Sequence, residues 1–368
     1  MSTPLVDPFA PFGALLSGFE GLYELERIRR GMFVHATAPR PDVGVTPHVV
    51  VHEQDKLKLR YYAPKQDEGL PPVVLVPSLI NRAYILDLES DRSMVASLAA
   101  MNHPVYLVDW GEPGPEDADE DVSYVVLELL DRAVRRACRH ARAPKAAVFG
   151  YCMGGTLVAM YAALRPERLL GFATLNAPVL FAEAGRFREF VSPDVVNVDE
   201  VFPAGTLVPT WLMKPVFQML DPMGSFTKYA AIEQAAADPK KLSRTMARER
   251  WLEEHVPCAS AFCREFVRYA YQEDALINGR RSLGGETVRL EAITSPALIV
   301  VCKRDFIAPS RSGLPLFDRI QSKDKELVEP DAGHIGVVVG ATGPRYFFPL
   351  LDQWLRRIAK GEPQAAKE

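Results

Sequence analysis

The chain has 368 residues, 48% hydrophobic and 24% charged, a balance that suits one large soluble domain or a core domain carrying an insertion. Its 43 basic and 47 acidic residues give a net charge of −4, so no basic excess exists to neutralise phosphates and nucleic-acid binding is not expected. No apolar run is long enough to span a bilayer, and Met1 to Leu16 lacks a basic region ahead of an apolar one, so neither a membrane span nor a signal peptide is expected and the compartment predicted is the cytoplasm.

Phe12 to Phe33 carries apolar residues at helical spacing (Leu16, Phe19, Leu22, Tyr23, Ile28), which predicts an amphipathic helix lying on the core or contacting a partner. Pro39 to Pro47 reads as an extended arm. His48 to Glu53 and Lys56 to Tyr62 flank Gln54-Asp55 as a hairpin. Short β-branched runs follow at Val73–Val76, Val105–Val108, Ala146–Phe149, Phe172–Leu175, Ala297–Val301 and Glu326–Val328. Each is short and, apart from the opening Glu326 of the last, uncharged until its end, as in strands buried on both faces of a parallel sheet. Helical patterns such as Val122–Arg142 and Gly154–Leu164 separate them, which predicts an α/β, doubly wound, mostly parallel sheet. In such sheets the active residues lie beyond the C-terminal strand ends.

The alternation breaks between Leu175 and Ala297, where Trp211, Met213, Phe217, Met219, Met223, Phe226, Trp251 and Phe262 make the stretch too long and too apolar for a loop. It reads as an inserted, mostly helical cap, with a separate domain as the alternative. The organisation expected is therefore an N-terminal helix and arm (1–47), a first core part (48–178), the cap (179–290), a second core part (291–360) and a polar tail (361–368).

Gly150-Tyr151-Cys152-Met153-Gly154-Gly155 links a buried strand directly to a helix. This is the setting of a nucleophile elbow with Cys in place of Ser, where the helix N-terminus aims backbone N–H groups at the thiol. A structural glycine turn holding an inert Cys is the bland alternative. Such a nucleophile needs a base and the base an orienter, in the chain order nucleophile, acid, His. Of the two later histidines, His334 follows the last strand between small residues, whereas His255 reads as a surface residue of the cap. Asp305 follows the penultimate strand and is the expected acid, unless it is a surface partner of Arg304; Asp109 is a rival that precedes the nucleophile. The oxyanion hole is expected from the N–H of Met153 and one from Pro77–Asn81, carried by Leu79 or Ile80. The five cysteines form no CxxC pair and have no His at zinc-ligand spacing, so free thiols are expected, with no metal and no cofactor.

Gly150-Tyr-Cys-Met-Gly-Gly-Thr156 resembles the lipase-box variant of polyhydroxyalkanoate synthases, in which Cys replaces Ser. Val76–Leu88 is similar to that family's oxyanion segment, Val105–Gly111 to its Asp-Trp-Gly loop, Gly333–Gly336 to its His motif, and Trp251–Gly279 to the end of its cap. Val43–Pro47, Glu53–Lys56 and Arg60–Tyr62 resemble the entry to the shorter, class III type of catalytic subunit. The resemblance, from about residue 40 to 358, implies an α/β-hydrolase fold and an acyltransferase that polymerises (R)-3-hydroxyacyl-CoA into polyester with release of coenzyme A. It implies that Cys152 holds the chain as a thioester, that His334 deprotonates it, and that Asp305 orients His334 or assists deprotonation of the incoming hydroxyl. Asn81 and Phe306 are the expected substrate contacts, although Phe306 stands where the family has His. The partners implied are a non-catalytic subunit, the polyester granule surface and a second copy in a homodimer. A thioesterase or polyester depolymerase on the same scaffold, and an inactive granule-associated paralogue, are the competing readings.

Overall fold

The computed structural model describes residues 20–220 and 224–362. The predicted helix start at Phe12, the leader assessment of Met1 to Leu16, Met223 and most of the tail lie outside the described residues, as do the side chains of Phe217 and Phe226. Eight strands build the main sheet: β1 (Val49–Gln54), β2 (Leu57–Tyr62), β3 (Val73–Val76), β4 (Val105–Asp109), β5 (Ala146–Tyr151), β6 (Leu169–Leu175), β7 (Ala297–Val300) and β8 (Lys325–Val328). Their order is β1-β2-β4-β3-β5-β6-β7-β8. The β1–β2 hairpin and its junction with β4 are antiparallel, and every later pairing is parallel.

The period of two along the apolar strands divides the interior into two cores. Val74, Val76, Ala146, Val148, Ala297 and Ile299 face one side, where Ala133, Val134, Leu157 and Val158 cover them. Val73, Leu75, Ala147, Phe149, Leu298 and Val300 face the other, under Met94, Leu98, Leu351 and Trp354. Helices therefore flank both faces. The register sets Val76 opposite Gly150, Tyr151 opposite Leu175, and Leu175 opposite Val300, which is itself opposite Val328. The C-terminal ends of five strands thus align, and the loops after them converge on one edge.

The insertion between β6 and β7 holds helices α1 (Thr210–Leu220), α2 (Gly224–Ala235), α3 (Pro239–Glu253) and α4 (Ser260–Phe266), the last continuing into a π-helical turn at Val267–Gln272. A two-residue strand pair, Leu207–Val208 with Cys258–Ala259, joins its two halves. The cap is stitched to the loop after β3. Val256 N–H donates to the Ile80 carbonyl at 3.1 Å, Trp251 Nε1 to the Arg82 carbonyl at 2.9 Å, and Tyr84 Oη to Glu254 at 3.0 Å.

The N-terminal helix Glu20–Thr37 departs from expectation, because it packs on cap helix α2 rather than on the sheet core. Arg27 reaches Glu233 at 3.4 Å, and the ring of His35 meets that of Tyr229 edge-on at 5.7 Å. Gly31 permits the crossing, since a Cβ there would stand 1.7 Å from the Tyr229 carbonyl oxygen. The following arm is pinned separately to the core. Asp87, buried beneath it, accepts from Thr46 N–H at 3.2 Å, from the Thr46 hydroxyl at 2.5 Å and from Ser93 at 2.6 Å. Among the described residues no helix is long and apolar enough to cross a membrane.

Gly31→Leu is expected to separate the N-terminal helix from the cap while sparing the sheet. Amide hydrogen exchange should accelerate across 20–37 and 224–235, while protection of β3, β5 and β6 stays unchanged.

Candidate active site

Cys152 is the residue between β5 and the helix Met153–Leu164, and its backbone is left-handed, with φ 56° and ψ −128°. A non-glycine residue holds this conformation only where its surroundings over-determine it. Here they do. Cys152 N–H donates to the Leu175 carbonyl of β6 at 2.9 Å, and its own carbonyl accepts from Gly155 at 2.8 Å. The neighbouring glycines are required by space. A Cβ on Gly150 would lie 2.5 Å from the Gly155 Cα, one on Gly154 2.2 Å from the Val76 carbonyl oxygen, and one on Gly155 2.5 Å from the Ala177 side chain. The helix N-terminus is thereby drawn against the ends of β3 and β6, and the half-buried Cys152 side chain stands at its first turn.

The structure brings His334 and Asp305 together. His334 Nδ1 donates to Asp305 Oδ2 at 2.6 Å. The other carboxylate oxygen, Oδ1, accepts the N–H groups of Ile307 at 2.9 Å and Ala308 at 2.8 Å, so the carboxylate is held on both oxygens inside its own loop. With Nδ1 engaged, Nε2 is left for the Cys152 thiol. Burial alone would push the His334 pKa down, but the Cys152 thiolate, the Asp305 carboxylate and the hydrogen bonds to both overcome it and raise it to about 10. A protonated ring flanked by two anions stabilises a thiolate and can return its proton to a leaving group.

Two further residues fix the imidazole. Tyr151 Oη donates to the His334 carbonyl at 3.1 Å, and its ring lies 5.3 Å from the imidazole. Asn176, left-handed at φ 51°, donates from Nδ2 to the same carbonyl at 3.3 Å and accepts the Cys302 N–H at 2.8 Å. Neither was singled out from the sequence. Asn176 immediately follows the C-terminal end of β6, the position that sheet topology marks, so a signal for it was present.

The remaining predicted residues fall as follows. Asp109 is engaged by Arg60 on the neighbouring strand. Arg304 pairs with Asp331 at 2.8 Å rather than with Asp305, which removes the reading of Asp305 as a surface partner. His255 is not a surface residue as expected but is buried, because it is drawn under the loop after β3, with Asn81 Nδ2 3.3 Å from its ring Nδ1. Asn81 is therefore tied to the cap. Met153 opens the helix after the thiol, and the Ile80 carbonyl is turned to the cap. Phe306 is 53% exposed beside the buried Asp305. Among the other thiols, burial raises Cys302 to about 12 and raises Cys138, while a hydrogen bond with Cys263 and burial together raise Cys258.

A family profile for the alpha/beta hydrolase fold matches residues 71–341, and one for the N-terminus of poly-beta-hydroxybutyrate polymerase (PhaC) matches residues 40–98. The chain is 31% identical to a poly(3-hydroxyalkanoate) polymerase subunit PhaC of Haloferax mediterranei, across 86% of this chain and 65% of the relative. It is 30% identical to the subunit of the same name from Allochromatium vinosum, across 89% of this chain and 94% of the relative. It is also 30% identical to that of Synechocystis sp., across 85% of each. Among solved structures it resembles a monoacylglycerol lipase of Paleococcus ferrophilus with a TM-score of 0.53 at 18% identity, over 83% of this chain and all of that one, a likeness of fold.

The raised His334 pKa predicts a pH-dependent stability. Its contribution is complete below the unfolded value of about 6.5 and is lost as pH rises through about 10. Urea midpoints should fall across that window in the native protein, and His334→Gln should lack this component.

Proposed function

Because the chain belongs to the poly(3-hydroxyalkanoate) polymerase family and carries its alpha/beta hydrolase fold, we propose that it polymerises (R)-3-hydroxyacyl-CoA through a thioester on Cys152. The observation that carries the reading is the left-handed Cys152 coupled to a His334–Asp305 pair closed at 2.6 Å.

In the acylation half, the Sγ proton already resides on His334 Nε2, and the Cys152 thiolate adds to the thioester carbonyl. The oxyanion is met by the Met153 N–H and by an N–H of the loop after β3, at Ile80 or Leu79. The carbonyl–sulfur bond to coenzyme A then breaks, and the departing thiolate takes the proton from His334. In the elongation half, His334, oriented by Asp305, removes the proton of a hydroxyacyl 3-hydroxyl, and the alkoxide attacks a thioester carbonyl. An ester bond forms as the sulfur–carbonyl bond breaks, and His334 returns the proton to the freed sulfur. A cysteine suits this chemistry because the attacking and leaving sulfurs are matched, so acyl exchange between them runs near balance.

Water is the competing nucleophile. The rings of Phe181, Phe187, Phe266 and Tyr271 pack together with centroids 4.7 to 6.1 Å apart, and this apolar wall of the cap supports exclusion of water. Phe306, exposed next to Asp305, would meet the acyl-CoA at the mouth of the site in this reading. The partners in this reading are a non-catalytic subunit, the surface of a cytoplasmic polyester granule and a second copy of the chain. Leu25, Met32 and Trp211, 60%, 51% and 72% exposed, offer apolar contact for them.

Purified protein, with and without a partner subunit, is expected to release coenzyme A from 3-hydroxybutyryl-CoA and to form insoluble polyester. Free 3-hydroxybutyrate as the sole product would make it a hydrolase, and no release would make it an inactive paralogue. Cys152→Ala should abolish release, whereas Cys138→Ala and Cys302→Ala should leave it near the native rate.

A further inference from the structure

The ring of Tyr271 belongs to the apolar wall, but its hydroxyl has no role in the steps above, and its setting is built. It lies in the π-helical turn Val267–Gln272, where one extra residue in a helical turn re-aims a side chain, an arrangement frequent at functional sites. Its ring is clamped against Phe181 and Phe187, each at 4.7 Å, and Phe266 at 6.1 Å. The turn is bolted down beside it. Gln272 Nε2 donates to the carbonyls of Val191 and Val196 at 2.9 and 3.0 Å, and Asp274 accepts the N–H groups of Phe181 and Ala182 at 2.5 and 3.0 Å.

This clamp adjoins the nucleophile. Phe181 ends the loop after β6, where the Thr156 hydroxyl donates to the Pro178 carbonyl at 2.8 Å and Ala177 abuts Gly155. After burial, the Cys152 thiolate is the charge that raises the Tyr271 pKa. The phenol therefore stays protonated and remains a donor. Among the described residues no hydrogen bond engages its hydroxyl, a state it shares with buried Tyr62, whereas Tyr84, Tyr106, Tyr124, Tyr151 and Tyr161 each have a partner. A rigid ring that holds an unengaged donor beside a nucleophile costs side-chain freedom and leaves a polar group for a ligand oxygen to satisfy.

We propose that Tyr271 is the residue that selects 3-oxygenated acyl groups, its hydroxyl donating a hydrogen bond to the 3-oxygen of the acyl unit at Cys152. The inference rests on the acyl-CoA reading and adds the specificity element to it. The elbow and oxyanion donors handle only the carbonyl and sulfur, which every acyl thioester shares. Discrimination needs a group aimed further along the chain, and a site built to bond a substrate hydroxyl rejects the analogue that lacks it.

The test is a cycle of enzyme hydroxyl against ligand hydroxyl, read as equilibrium binding in a Cys152→Ala background so that no turnover intervenes. (R)-3-hydroxybutyryl-CoA and butyryl-CoA are titrated calorimetrically into Cys152→Ala and into Cys152→Ala/Tyr271→Phe. The Phe variant keeps the ring clamp. It is expected to weaken 3-hydroxybutyryl-CoA roughly tenfold and to leave butyryl-CoA unchanged, which collapses the preference between them. Equal weakening of both ligands, or of neither, would overturn the inference while leaving the acyl-CoA reading intact. Failure of both thioesters to bind with Tyr271 present would overturn the acyl-CoA reading and this inference with it.

Discussion

The left-handed backbone at Cys152 is the constraint on which the architecture turns. Three glycines without room for a Cβ, a hydrogen bond donated to β6 and the alignment of five strand ends hold one residue in a conformation it would otherwise leave. Such strain is affordable only in a sheet buried on both faces, where period-two packing against two helical layers resists relaxation. The same alignment delivers the loops with Asp305 and His334 from β7 and β8 to the same edge. The acid is saturated by its own loop's amides before it meets the imidazole, so it is positioned whether or not a substrate is bound.

The loop after β3 joins the two halves of the molecule. Its start lies against Gly154, its Ile80 carbonyl accepts from the cap, and Asn81 approaches His255. Movement of the cap and the geometry of the candidate oxyanion donors are therefore mechanically coupled. Cap closure would set those donors at the same moment that it walls off water.

Much of this was legible in the sequence because its causes are local. A short uncharged run such as Val73–Val76 has one stable environment, a strand covered on both sides. Gly150 and Gly154 around Cys152 state a packing requirement that few other turns have. What could not be read were choices of partner. The periodicity of Glu20–Thr37 says that one face is covered, not that Tyr229 of the cap covers it. His255 among charged neighbours reads as surface, because its burial comes from a segment 174 residues away. Nothing in the sequence sets Tyr271 apart from other aromatics, since a hydroxyl left without a partner is visible only after folding. The strand pair at Leu207–Val208 is too short for any alternation to reveal.

The two anchorages of the N-terminal segment have one more implication. The helix is fastened to the cap at Gly31, whereas the chain just beyond it is fastened to the core at Asp87. The intervening residues, Ala38 to Val43, form a leash that ends where Gly44 N–H donates to the Asp87 carbonyl at 2.9 Å and that is itself tied to the cap where Arg250 donates to the Pro41 carbonyl at 3.0 Å. A cap that swings away must tow the helix and draw out this slack, which spans at most about 21 Å when fully extended. The stroke of any opening is thus limited by a length of chain, and shortening that leash would throttle the cap without touching a residue near the sulfur.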